Sequence, residues 1–385
     1  MSIQLYDHTQ IEQIPWAEIA NAERVKQVLI PMMKKGTQHY MNNVVTRLLL
    51  LKVDNLLLPL TINEEEYENA YVCSLFAHYV LYAKRELSAF TSKRLIEKTG
   101  HVLLSGLGKW LKRAQFNRVV IVNNWMFSTN LYPELTYKQL QRITEKLIEH
   151  FPTHTILFRS VTDHHPQHLY QNLLDLHYLP VPSREVFYYD PNRFAHLPKK
   201  TRWKIRRDWR RLEQSDYTVL SKEQLQEQDL ERLVHLYHLL YIQKYSIYNV
   251  QYRKSFFSLI MNDPQFHIKA LVKNQRIDGF IGFFIDHDVI ATPILGYDTS
   301  LSPKLGLYRM LSGQTLKEAH ERNLLLHKSA GVPQFKEERG AYDRIEYHMV
   351  YAQHLPAHKQ NTWKLLQKIL NHVVIPYMKS DPKRA

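Results

Sequence analysis

A single cysteine among 385 residues excludes an intrachain disulfide and any cysteine-rich zinc site, and fits a chain that works in a reducing cytoplasm. Cys73 lies in an apolar stretch over 71–76, the setting of a buried structural thiol rather than of a nucleophile. The first residues, MSIQLYDHTQIEQ, lack the basic and apolar regions of a signal peptide. The most apolar run, over 48–60, is broken by Lys52, Asp54 and Asn55, too short and too charged to cross a bilayer. A cytoplasmic protein without an integral membrane segment is expected, peripheral at most. Several chemistries are missing too. There is no Gly-x-Ser-x-Gly elbow and no dinucleotide fingerprint, and Ser105-Gly106-Leu107-Gly108-Lys109 lacks the spacing of a phosphate-binding P-loop. His164, His165 and His168 cluster without acidic or cysteine partners at metal-ligand spacing. Asp286-His287-Asp288 falls between two strand patterns and reads as a turn. No metal is expected.

What is present describes a well-packed globular protein. Hydrophobic residues make up 44% and aromatics 12%, which leaves no long stretch for disorder. The length predicts two domains. Lys and Arg number 51 against 37 Asp and Glu, a formal charge of +14. That excess suits polyanionic partners, namely CoA phosphates, tRNA or an anionic membrane surface, and serves solubility equally.

Along the chain, mixed helix is expected over 11–42, then a hairpin over 46–53 and 56–62 turned at Asp54-Asn55. Helix over 94–115, strand over 118–123, helix over 135–150, strand over 155–160, helix over 169–176 and strand over 186–189 complete the first half. The second half repeats the order. A hairpin over 266–272 and 277–285 turns at Asn274-Gln275, followed by a strand over 289–295, a helix from Leu305, a short strand over 324–326 and a closing strand over 347–351. Helices over 230–244 and 254–261 bracket a tyrosine-rich loop that either contacts substrate or staples the two helices. An amphipathic helix over 363–377 and a basic tail over 380–385 end the chain. Between the halves, KKTRWKIRRDWRR carries Ile205, Trp209 and Leu212 at i, i+4 and i+7, so one stripe packs and the other faces are basic. This helix either grips an anion or is a solvated linker.

The stretch over 295–351 organises the rest. Leu307, Met310, Leu311, Leu316 and Ala319 recur at helical spacing after a loop holding Pro303 and Gly306. Strand, glycine-bearing loop, helix and strand suit a phosphorylated ligand, because the first amides of a helix have no intrahelical partner. Tyr297-Asp298 before a Ser-Pro/Gly loop, a helix ending in Ala319-x-x-x-Asn323, and Phe335-Lys336 followed by Arg339-Gly340 resemble the acetyltransferase domain of the GNAT superfamily. The branch is similar to the Fem-type and polysaccharide-biosynthesis acyltransferases, and the likeness covers the last half of the chain.

That resemblance implies an α/β (α+β) fold of two tandem GNAT-like domains, each a mixed, mostly antiparallel sheet flanked by helices. Residues 1–190 would form a non-catalytic domain, because the loop after its strand over 118–123 carries Trp125, Met126 and Phe127 and no glycine; residues 191–385 would form the catalytic one. It also implies acyl-CoA (acetyl-CoA) as co-substrate, bound by Leu295, Gly296, Tyr297, Lys304, Leu305, Gly306, Leu307, Tyr308 and Arg309. Where the superfamily's loop has Arg or Gln followed by two glycines, this chain has Lys304 and Gly306, so the donor stays open between acyl-CoA and aminoacyl-tRNA.

Direct acyl transfer to an amine needs a base, an oxyanion donor and a proton for the leaving thiolate. Asp298 is the candidate base or amine-orienting group, and a turn-capping aspartate fits as well. Tyr342 is the candidate acid, against a core role for one of 24 tyrosines. Tyr252, Ser329, Lys336 and Arg339 are the candidate substrate-binding residues, the two cations through a carboxylate or phosphate. The acceptor would be a small-molecule or peptide amine. A catalytically inactive ligand-binding module is the remaining alternative.

Overall fold

Polar dipeptides turn the chain where strands meet: Asp54, Asn274 and Gln275 hold φ of 52°, 50° and 59°, a left-handed conformation that short polar side chains tolerate. In the computed structural model, residues 3–90 and 94–376 are described. The first six strands are β1 (Ile3–Tyr6), β2 (Arg47–Val53), β3 (Leu56–Asn63), β4 (Val119–Val122), β5 (Thr155–Thr162) and β6 (Leu179–Tyr189). The other six are β7 (Thr218–Ser221), β8 (Phe266–Lys273), β9 (Arg276–Asp286), β10 (Val289–Tyr297), β11 (Leu325–His327) and β12 (Tyr342–Tyr351). The fold is mixed α/β, with sheet flanked by helices.

Two compact units result. One comprises Met1–Ser183, Tyr245–Arg253 and Tyr347–Pro376; the other comprises Arg184–Lys244 and Lys254–Glu346. A single cut near residue 190 misses this exchange of segments. The C-terminal helix, Ala357–Ile369, belongs to the first unit because Trp363 and Leu366 fill its core. The tyrosine-rich segment also belongs there: Tyr252 bridges to Met41.

In the first unit β1, β2, β3 and β4 run antiparallel in that order, and β5 is parallel to β4. The crossover between β4 and β5 is the helix Tyr137–His150, whose Leu140, Ile143 and Leu147 pack on Val120, Val122 and Phe158. In the second unit β7, β8, β9 and β10 are antiparallel, and β11 is parallel to β10. The crossover here is the helix Leu307–Arg322. Leu307, Met310 and Leu311 pack on Leu271, Ile281 and Leu295; Leu316 and Ala319 pack on Ile205, Phe283 and Ile290. Asn323 ends this helix at φ 55°, the left-handed residue that commonly follows a last turn.

Some expected elements differ. The helix over 11–42 breaks into single turns at Ile11–Gln13 and Trp16–Glu18 before a helical run over 22–35 that stops at Gly36 (φ 80°). The closing strand starts earlier, at Tyr342. The basic tail over 380–385 lies outside the described residues, as does the end of the helix over 363–377. Among the described residues no helix is long and apolar enough to cross a membrane.

Candidate functional site

Strands β10 and β11 pair over three residues only, Val289 with Leu325 to Ala291 with His327. The register of β10 against β9 then shifts between Ala291 and Ile294, and β10 runs on to Tyr297. Two parallel strands therefore part at their carboxyl ends, where α/β folds commonly bind ligands. The loop that follows β10 closes over this point. Ser302 accepts a hydrogen bond from the Lys304 amide at 3.3 Å, and Pro303–Leu305 make one tight turn. Gly306 sits at φ 72° immediately before the helix and supplies no side-chain cap. The positive end of the helix dipole thus faces a loop carrying Lys304, with Arg309 on the first turn of the helix, both exposed. Arg211, from the helix Lys199–Glu213, reaches the same place. Its guanidinium donates to the carbonyls of Leu305, at 3.2 Å, and Lys304. A Cβ at position 306 would meet that guanidinium, which can shift; the left-handed φ is what favours glycine here.

Asp298 stands at the head of the loop, 7% exposed. Its Oδ2 accepts from Arg232 Nη2 at 2.7 Å, and its Oδ1 accepts from the Ser300 amide at 3.1 Å and from the Ser300 hydroxyl. Burial opposes its ionisation, but the bonds from Ser300 and Arg232 win and hold the carboxyl down at about 2. Arg232 also donates to the carbonyl of Ile277 at 2.8 Å. Next to it Asp278 accepts from the Tyr217 hydroxyl and from Arg276 Nε, each at 2.7 Å. Asp298 is thus a saturated carboxylate that shapes the loop, with little basicity to offer an ammonium.

Deeper in the unit lies a cluster of buried cations. Lys328 follows the end of β11, and its Nζ donates to Ser312 Oγ on the crossover helix at 3.1 Å. Burial, then the neighbouring Arg339, push this amine down to about 7 against the pull of Asp208. Lys336 Nζ donates to the carbonyls of Lys328, Ser329 and Ala330 at 2.6, 2.8 and 2.8 Å, and burial pushes its pKa well down too. Arg339 is paired with Asp208, donates to the Phe335 carbonyl at 3.0 Å and lies 3.5 Å over the Phe335 ring.

The sequence-selected residues therefore fall into separate groups. Lys304, Leu305, Gly306, Tyr308 and Arg309 gather around the loop. Leu295 and Leu307 are core. Gly296 lets a helix approach: a Cβ there would come 2.6 Å from the Tyr237 amide. Tyr297 packs beside Tyr308, ring centroids 6.3 Å apart. Tyr342 is half-buried in β12 beside Arg193 and Arg344, 4.8 and 5.1 Å from its ring, and burial raises its pKa. Lys336 and Arg339 are buried and bonded to protein groups; Ser329 serves Lys336 through its carbonyl. Tyr252 is buried in the first unit and donates to the Met126 carbonyl at 3.0 Å. Sequence reasoning took Arg211 and Asp208 only as part of the basic helix over 199–211, and passed over Arg232, Ser312 and Lys328. Lys328 alone left a signal, as a charge ending a short apolar strand.

No family model matches the chain, and no curated protein matches it. Solved structures with a related chain path are GNAT-fold proteins. The C-terminal domain of a protein assigned as a lysylphosphatidylglycerol synthetase from Agrobacterium fabrum is 12% identical, with a TM-score of 0.47 over 66% of this chain and 82% of that one. L-PGS from Bacillus licheniformis is 13% identical, with a TM-score of 0.44 over 60% of this chain and 77% of that one. A tandem GNAT protein from the clavulanic acid biosynthesis pathway is 8% identical, with a TM-score of 0.38 over 92% of this chain and all (100%) of that one.

Proposed function

We propose that the second unit is an acyltransferase module that takes acyl-CoA at the loop over 298–309 and passes the acyl group directly to an amine. The observation that carries this is the uncapped helix start at Gly306, ringed by Arg211, Lys304 and Arg309, where β10 and β11 part. Helix amides and cations together stabilise a diphosphate. On binding, a carrier phosphate would accept from Arg211 in place of the carbonyls of Lys304 and Leu305.

In the reaction the amine nitrogen attacks the thioester carbon, the C–S bond breaks, and the amine's proton must leave. Asp298, ionised down to about 2, orients the loop rather than taking that proton. Lys328 is buried and bonded to the Ser312 hydroxyl, so that proton passes to water. Tyr342, kept a phenol by burial, is the group suited to protonate the departing thiolate. The saturated state of Asp298 favours a second reading, in which the same cradle binds a phosphorylated ligand without turnover. Thermal melting with acetyl-CoA, longer acyl-CoAs and aminoacyl-tRNA tests the donor. A rise with acyl-CoA is expected; a rise with aminoacyl-tRNA alone, or with none of them, overturns it.

A further inference from the structure

A groove of about 710 Å3 lies away from the donor loop, along the helix Lys199–Glu213. Its floor is one helical stripe. Lys199, Arg202, Arg206 and Arg210 alternate there with Trp203 and Trp209, and Lys317 of the helix Leu307–Arg322 forms the wall. Five cations thus face one lining carboxylate, Glu213, which is 3.8 Å from Lys317. Among the described residues no carboxylate pairs with the four cations of the floor. The other acid of this helix, Asp208, points inward to Arg339. Arg202, Arg206 and Arg210 follow at intervals of four residues, about 6 Å along a helix, similar to the separation of successive phosphates on an extended strand.

The aromatic rings add what charge alone lacks. Trp203 is 51% exposed, an unusual cost for an indole on a solvated face. Arg207 covers one side of it, 4.6 Å from the ring. Trp209 is held in place by Phe194, 6.0 Å away and near-parallel at 21°, and by His320 at 5.4 Å. Within that stack Trp209 Nε1 and His320 Nδ1 are buried and meet no hydrogen-bond partner, a deficit that a ligand's polar edge would correct. The apolar stripe of the helix is already committed to the core through Ile205, so no apolar face remains to enter a bilayer.

We infer that this groove binds a single-stranded nucleic acid, its phosphates on Arg202, Arg206 and Arg210 and a base stacked on the open side of Trp203. Cations that track a backbone beside aromatic platforms are how such strands are held without sequence preference. The surface is independent of the donor loop and stands whether or not the unit transfers acyl groups.

Fluorescence anisotropy of the full chain with a labelled oligouridylate of about 12 nucleotides tests it. Expected is binding at low salt that weakens as salt rises. Arg202→Gln, Arg206→Gln and Arg210→Gln together should reduce the slope of log K on log salt by about 2. Trp203→Ala should weaken binding about tenfold with the slope unchanged. Melting of each variant, with and without acetyl-CoA, confirms an intact fold and a separate donor loop. Three results overturn the inference: no binding by the wild type, inorganic polyphosphate competing as well as the oligomer with Trp203→Ala silent, or binding to phosphatidylglycerol vesicles but not to the oligomer.

Discussion

The two units cross from one strand to the next parallel strand in the same way, and differ in what they do with the loop. After β4 the chain turns inward. Asn123, Asn124, Trp125, Met126 and Phe127 are all buried, Met126 in a left-handed φ of 61°. Arg159 ties the loop down through the Phe127 carbonyl at 2.8 Å and Asn124 Oδ1 at 3.2 Å. The helix that follows is closed by a capping box, Thr136 with Gln139. After β10 the loop is mostly exposed, its glycine gives the helix no cap, and cations stand around the open amides. One topology therefore yields a plugged crevice and an open one. The difference lies in whether the helix start spends its amides on its own side chains.

The comparison breaks or sharpens in a definite order. Phe127→Ala should cost about 3–5 kcal/mol, because the ring is buried, beside Tyr252, whereas Leu305→Ala, 37% exposed, should cost about 0.5 kcal/mol or less. Urea unfolding followed by circular dichroism measures both. Equal losses would erase the distinction between plug and lip.

The second unit closes below its loop with ions instead of rings. Arg339→Met should cost about 3–5 kcal/mol by leaving Asp208 buried with only the more distant Arg207, at 4.0 Å, and the double variant Asp208→Leu with Arg339→Met should recover most of it. A double variant no better than the single one would show that packing of Arg339 on Phe335, not the charge pair, is what counts.

Asp298 gives a pH signature. Its folded pKa is depressed, so its stabilisation is present above the unfolded value near 4 and is lost as pH falls toward about 2. Asp298→Asn should remove about 2 kcal/mol at neutral pH and flatten the acid limb of stability against pH between about 4 and 2. An unchanged acid limb would detach the carboxylate from the loop's stability.

Smaller effects concern the helix starts. Thr136→Ala should cost about 1 kcal/mol by opening the capping box. Gly306→Ala should cost a similar amount, about 1 kcal/mol, through its left-handed backbone. The first variant should leave acetyl-CoA's effect on melting unchanged, and the second should abolish it.

The hairpins and both crossovers were legible because turn chemistry at Asp54-Asn55 and Asn274-Gln275, and periods of two and 3.6, are local properties. The loop's glycine and cations were legible for the same reason. The exchanged segments were not, since Trp363 enters the first unit's core through packing far away in sequence. The partners of Lys336 and Arg339 were not legible, because nothing local shows that three backbone carbonyls and Asp208 await them. Asp298 was legible as a loop residue, but its bonds were only half so: Ser300 is two positions on, whereas Arg232 is 66 positions away in sequence.

Calorimetric titration of acetyl-CoA into the wild type, Lys304→Ala and Arg211→Ala tests the central claim most directly. Saturable binding by the wild type, weakened about tenfold in each variant as a charge-assisted phosphate bond is lost, is the expected result. No heat from the wild type, or binding indifferent to both substitutions and lost on opening the first unit's plug with Phe127→Ala, would contradict it.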